Sequence, residues 1–218
     1  MGYSSVFRET YQSQLGTLEL RMNSSNQSSA AESRNGVFAT NEHEIAIKTV
    51  VPQLDWLPAG MHVECAQAWL FYITKRRVGD EQLSFSIELQ LADTAVQCGP
   101  DTGESLVAVE FENGIRQMHI GTEDEEVMAY RASISDYMPA RLEPFLSKFE
   151  TEITTITPQG LITRIPALEM GERFYFHYVI AENPCLPSAD YPGEMDISTW
   201  LAVEQSKKQL EKSWRAQS

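Results

Sequence analysis

Along much of this chain apolar and polar residues alternate with a period of two, as strands do when one face meets a core. In LSFSIELQL (83–91), Leu83, Phe85, Ile87, Leu89 and Leu91 fall on one face, and Ser84, Ser86, Glu88 and Gln90 on the other. Leu18, Leu20 and Met22 alternate with Glu19 and Arg21, which predicts a first strand. EIAIKTVV (44–51) is β-branched and strand-like up to Pro52. MHVECAQAWLFYITKRR (61–77) fits a helix in its first half, but the aromatic and β-branched run AWLFYIT favours a strand. The link VGDE (78–81) would then join it to 83–91 as an antiparallel neighbour. LDWLPAG (54–60) reads as a turn whose Trp56 plugs the core, and QCGPDTG (97–103) reads as a loop.

Residues 106–126, LVAVEFENGIRQMHIGTEDEE, contain the clearest local signal. Asn-Gly favours a two-residue type I′ turn, which needs positive φ at both central positions. With Asn113 and Gly114 at the tip, Phe111 pairs with Arg116, Val109 with Met118 and Val107 with Ile120, all facing the core. Ala108, Glu110, Gln117 and His119 take the opposite face. Thr122 and Glu125 have the spacing of a capping box. It would open a helix with inner stripe Val127, Tyr130, Ile134 and Met138, ended by Pro139. Leu142, Phe145, Leu146 and Phe149 predict a second short helix.

Further on, ITTIT and GLITRIP flank Pro-Gln-Gly as another hairpin, and RFYFHYVIA (173–181) is a strongly apolar strand. ENPCLPSADYPGE (182–194) is a Pro-rich loop, after which Asp196 can cap a helix running through Trp200, Val203, Leu210 and Trp214. NSSNQSSAAESRNG (23–36) is small, polar and aperiodic, and reads as a flexible loop. Strand runs joined by tight turns, without alternating βα units, predict a single α+β domain over 1–218. Its mainly antiparallel, twisted sheet would have about six to eight strands, with two or three packed helices near 122–150 and 196–214.

Composition adds one unusual number. At 218 residues the chain can bury a sizeable core, and 42% hydrophobic and 22% charged residues are ordinary. A formal charge of −14 is not. It disfavours a phosphate-binding, nucleic-acid role and docking on an anionic membrane, and it favours a basic partner. The three cysteines, Cys65, Cys98 and Cys185, fit neither a metal knuckle nor a paired disulfide set, and are expected as buried free thiols. The first residues contain no apolar secretory core, and no run approaches a membrane span. A cytoplasmic location is the expectation.

Catalytic motifs are missing: the sequence has no GxSxG, P-loop, GxGxxG or HExxH. His43, His62, His119 and His177 form no metal pair by spacing, so neither cofactor nor metal is expected. His119 is expected in a solvated pair with Glu110 and Glu112, and His177 as a hydrogen-bonded sheet histidine. An enzyme site around His177, Tyr175 and Glu172 is the alternative from another class. Residues 101–126 hold eight carboxylates against Arg116 alone, half the net charge of the chain. One or two acids suffice to complement a helix N-terminus, at about 0.3–1 kcal/mol each. The surplus makes Glu110, Glu112, Glu123, Asp124, Glu125 and Glu126 the candidate partner-binding residues.

In profile, not in motif, the chain resembles bacterial toxin-neutralising immunity proteins and, nearly as much, acidic secretion chaperones. That resemblance implies a binding role; the charge concentration and the missing chemistry lead to the expectation of a non-enzymatic acidic protein that occludes a basic protein partner such as a toxin domain, with Tyr191 and Trp56, where exposed, as aromatic anchors.

Overall fold

The alternating runs do become strands. The computed structural model describes residues 4–26, 32–34, 36–91, 96–185 and 196–217. In chain order the strands are β1 (Ser4–Ser13), β2 (Gly16–Ser24), β3 (Glu32–Arg34), β4 (Val37–Ala39), β5 (His43–Val50), β6 (Cys65–Lys75) and β7 (Leu83–Leu91). They continue with β8 (Gln97–Pro100), β9 (Leu106–Glu112), β10 (Arg116–Glu123), β11 (Thr154–Thr157), β12 (Gly160–Arg164) and β13 (Arg173–Pro184). The helices are α1 (Glu125–Ser133), α2 (Glu143–Leu146), α3 (Ser198–Val203) and α4 (Lys207–Gln217). A smaller sheet runs β1-β2-β7-β12-β11 and a larger one β3-β4-β5-β6-β13-β10-β9-β8, with every pairing antiparallel. The α+β class and the antiparallel pairing are as the pattern predicts, but the described strands form two sheets, of five and eight strands, where a single sheet of six to eight was expected, because alternation does not show which strands share a sheet. No helix among the described residues is long and apolar enough to cross a membrane.

The two sheets face each other across the main core. Leu18, Leu20, Met22, Phe85, Ile87 and Leu89 enter it from the smaller sheet, and Phe71, Ile73, Phe174, Phe176 and Tyr178 from the larger. Phe71 stacks on Phe176 with ring centroids 4.5 Å apart. Burying each such ring contributes about 1.5–3 kcal/mol. On the other face of the larger sheet a second core of Leu70, Tyr175, Val179 and Ala181 is covered by Ala202, Val203 and Leu210, contributed by α3 and α4. The central strands β6 and β13 are therefore buried on both faces, which is why their sequences read as continuous apolar runs rather than alternations. Met128, Ala129 and Ala132 of α1, Leu142 just before α2 and Leu146 of α2 enter the inter-sheet core.

Several expectations need correction. β6 and β7 are not partners: β6 pairs with β5 and β13, and β7 with β2 and β12, so residues 78–81 cross between sheets. Alternation fixes which face of a strand is buried, not which sheet the strand joins. The strand through Leu18 is the second, preceded by β1. Asn23 and Ser24 extend β2 and residues 32–34 form β3, while residues 27–31 and 35 of the expected loop lie outside the described residues. Residues 97–100 form an edge strand, not a loop. Trp56 does not plug the core: it is 38% exposed, and its indole donates to the Gln53 carbonyl at 3.1 Å. Cys65 and Cys98 are exposed thiols. Glu182 to Pro184 belong to β13, and 186–195, including Tyr191, lie outside the described residues.

The hairpin forms, with its register moved by two. Phe111 pairs with Met118, Val109 with Ile120 and Val107 with Thr122. Only Gly114 has positive φ, at 76°. Asn113 acts through its side chain, whose Oδ1 accepts from the amides of Ile115 at 3.0 Å and Arg116 at 2.9 Å. A shift of two preserves parity, so Val109, Phe111, Met118 and Ile120 still face the core.

The helix starts differ too. Thr122 lies inside β10 and is fully buried; Asp124 caps α1, its Oδ1 accepting from the Val127 amide at 2.9 Å. Met128, Ala129 and Ala132 turn inward, leaving Tyr130 and Ile134 exposed; α2 spans one turn and stops before Phe149, and Phe145 and Phe149 are both exposed. The C-terminal helix is interrupted between α3 and α4; Asp196 accepts from the amide and hydroxyl of Ser198.

Candidate functional site

The acid block is divided among different tasks. Glu123 is buried at 3% exposure and ion-paired with Arg131, itself buried on α1. Arg131 also donates to the carbonyls of Tyr175 at 3.2 Å and Asp136 at 3.1 Å, while the Lys207 amide donates to Glu123 at 3.3 Å. One carboxylate thus ties β10, α1, β13 and α4 together. Asp124 is spent on the cap; burial, then the neighbouring charges of Glu126 and Glu125, push its pKa up, against the Val127 amide that favours the ionised form. Glu125 is half-buried and accepts from the Ile153 amide at 3.3 Å. Of the run 123–126, Glu126 alone is exposed.

The surroundings of Glu126 carry no signal in the sequence. Glu126 lines a groove of about 330 Å³ with Ala129, Tyr130 and Ser133 from α1, Glu143 from α2 and Ser147 at the C-terminal end of α2. Glu125 lines a second groove, of about 540 Å³, with Phe149, Glu152 and Ile156 among its walls. Tyr130 is 65% exposed, Ile134 55%, Phe145 48% and Phe149 60%. Phe149 also holds φ at 54°, closing α2 through Glu150 N–H to the Phe145 carbonyl at 2.9 Å. That conformation costs a β-carbon-bearing residue about 1–2 kcal/mol, and glycine would adopt it without the penalty. Two stripes on α1 satisfy helical periodicity, and only packing decides between them. The stripe with small residues, Ala129 and Ala132, goes inward, and the aromatic one faces water.

Glu110 and Glu112 lie on β9, in the larger sheet, one strand removed from its edge. Glu110 stands directly opposite His119 on β10 and Gly99 on β8. His119 is not solvated: it is 3% exposed, with Nδ1 2.9 Å from Thr199 Oγ1 on α3 and Nε2 2.8 Å from Asp101 Oδ2. Its face of the hairpin is covered by α3, which the strand pattern alone does not reveal. Burial raises the Glu110 pKa, the Asp101 and Glu112 charges add to the rise, and His119 opposes it.

Tyr175 and His177 point into the second core side by side, hydroxyl to Nδ1 at 3.1 Å, and burial holds His177 down at about 4. Glu172 turns away to an ion pair with Arg141 at 2.7 Å. Of the alternative enzyme site, Tyr175 and His177 therefore meet, but Glu172 does not join them. No protein-family model and no curated protein matches the chain.

Proposed function

We propose that this chain is a non-enzymatic, acidic binding protein that occludes a basic protein partner, as an immunity-type inhibitor in the cytoplasm does a toxin domain, and that it does so with the α1–α2 surface. The observation that carries this reading is the exposure of Tyr130 on α1, Ile134 at its C-terminal end, Phe145 on α2 and Phe149 in the turn after it, beside the carboxylates Glu126, Glu143, Glu150 and Glu152. Large apolar side chains grouped on one surface and flanked by charge mark protein contacts more often than chance exposure. Tyrosine and phenylalanine supply the desolvated anchors, and the acids supply steering. The left-handed backbone at Phe149 adds a second reason: a cost to folding is retained where the side chain it presents has a use. Among the acids singled out in the sequence, Glu126 belongs to this surface; Glu123 and Asp124 support it from beneath by fixing α1.

The test is affinity capture at low salt with the wild-type chain and with Tyr130→Ser/Phe149→Ser. A basic protein retained by the wild type, released by salt and lost with the double variant supports the reading. Retention of the same protein by the variant, insensitive to salt, contradicts it.

A further inference from the structure

The meander β8-β9-β10 places three donors in a row that sequence spacing conceals. Glu110 is the cross-strand partner of both Gly99 and His119. The chain continues past β8 with the Asp101 amide donating to the Ala108 carbonyl at 3.0 Å, so Asp101, two residues after Gly99, returns to the same side. One atom each from Asp101, Glu110 and His119 lies within 4.8 Å of the others. We propose that these three residues bind a divalent first-row transition cation, with Zn²⁺ as the representative ion.

The donor set selects the class. One imidazole with two carboxylates suits Zn²⁺, Mn²⁺ or Co²⁺; Ca²⁺ and Mg²⁺ favour all-oxygen shells, and Cu⁺ favours sulfur. An ion at about 2.0–2.2 Å from each donor holds neighbouring donors roughly 3.3 Å apart. Seating it between His119 and Asp101 opens their 2.8 Å contact by about half an ångström. The Asp101 side chain, 44% exposed, can supply that movement, and its open side leaves room for water to complete the shell.

His119 is already held in the orientation a ligand needs. With Nε2 on the cation, Nδ1 carries the ring proton and donates to Thr199 Oγ1, the outer partner that fixes tautomer and ring plane in metal-binding histidines. Thr199 is fully buried, so this contact is not a surface accident. Charge argues the same way. Among the described residues neither Asp101 nor Glu110 forms an ion pair with Lys or Arg, and Glu112 adds further negative potential at Glu110. A bound ion would fasten the β8 edge to α3, where the Trp200 indole already donates to the Asp101 carbonyl at 3.0 Å. This site is independent of the α1–α2 surface.

The experiment is calorimetric titration of the chelator-treated full chain with Zn²⁺, repeated for Asp101→Asn, Glu110→Gln and Cys98→Ser. Asp101→Asn changes a partly exposed group and keeps the fold measurable by circular dichroism even if Glu110→Gln does not. The expected result is one equivalent bound by the wild type and by Cys98→Ser, with affinity at least about tenfold weaker in Asp101→Asn. No binding at about 1 mM Zn²⁺ overturns the proposal. So does equal affinity in folded Asp101→Asn, or binding that disappears in Cys98→Ser.

Discussion

A carboxylate's contribution in this protein is set by what it touches, and neighbours in sequence can differ completely. Glu123 and Glu126 are three residues apart, yet one is enclosed with Arg131 and the other faces water. Truncating one partner of a buried ion pair leaves the other charge uncompensated, at about 3–5 kcal/mol. Glu123→Ala should therefore lower stability by that order in a urea melt, and Glu126→Gln by less than about 0.5 kcal/mol. Similar losses for both would show that Glu123 is not held as described. His177 makes the complementary case, a group buried neutral among Tyr175, Arg131 and Glu123. Its folded pKa near 4 lies below the ordinary 6.5, so between these values the unfolded chain takes up a proton that the folded chain refuses. Stability is lost as pH falls from about 6.5 to about 4, by up to roughly 3 kcal/mol, and this contribution is flat above that window. The stability gap between wild type and His177→Gln should accordingly shrink between pH 7.5 and 4.5. A gap independent of pH would place His177 in contact with solvent.

At the scale of elements, the sequence is most informative where one face of a strand is buried and least where both are. Leu83 to Leu89 declare their strand through alternation, and the second hairpin, β11–β12, forms where Pro-Gln-Gly signals it. β6 and β13 carry no period because a sheet and helices cover their two faces, and only their residue types mark them as strands. Partner choice is hidden in the sequence, since it depends on contacts far along the chain; the short link 78–81 reads as a hairpin connection although it crosses between sheets. The Asn113 turn shows a different limit. Its residues predict a turn correctly, but Asn can serve either by adopting positive φ or by accepting amides with its side chain, and the second occurs here. Asn113→Ala should cost about 1 kcal/mol through loss of those two bonds, and Asn113→Asp, which keeps the acceptor, much less. Asn113→Pro should cost more than either, because the Asn113 amide donates to the Arg116 carbonyl at 3.1 Å. Equal melting temperatures for Ala and Asp variants would remove the side-chain bonds from the account.

At the scale of the whole molecule, the two sheets and two pairs of helices among the described residues divide the surface into regions of different character. α3 and α4 close the outer face of the larger sheet, and Asp101, Glu110 and His119 gather at α3's margin. α1 and α2 sit at the edge of the sandwich, small or aliphatic side chains inward and aromatic ones outward. The excess charge was legible from composition; its local use was not, because buried acids and exposed acids read alike in a sequence. The claim that most needs testing is that the partner is basic and meets α1–α2. A photoreactive residue placed at Tyr130 or at Phe149, compared with one at Val78, which is 84% exposed on the β6–β7 link, tests it directly. The account predicts a salt-sensitive adduct with a basic protein from positions 130 and 149 and none from 78; equal adducts from all three, or an adduct from 78 alone, would contradict it.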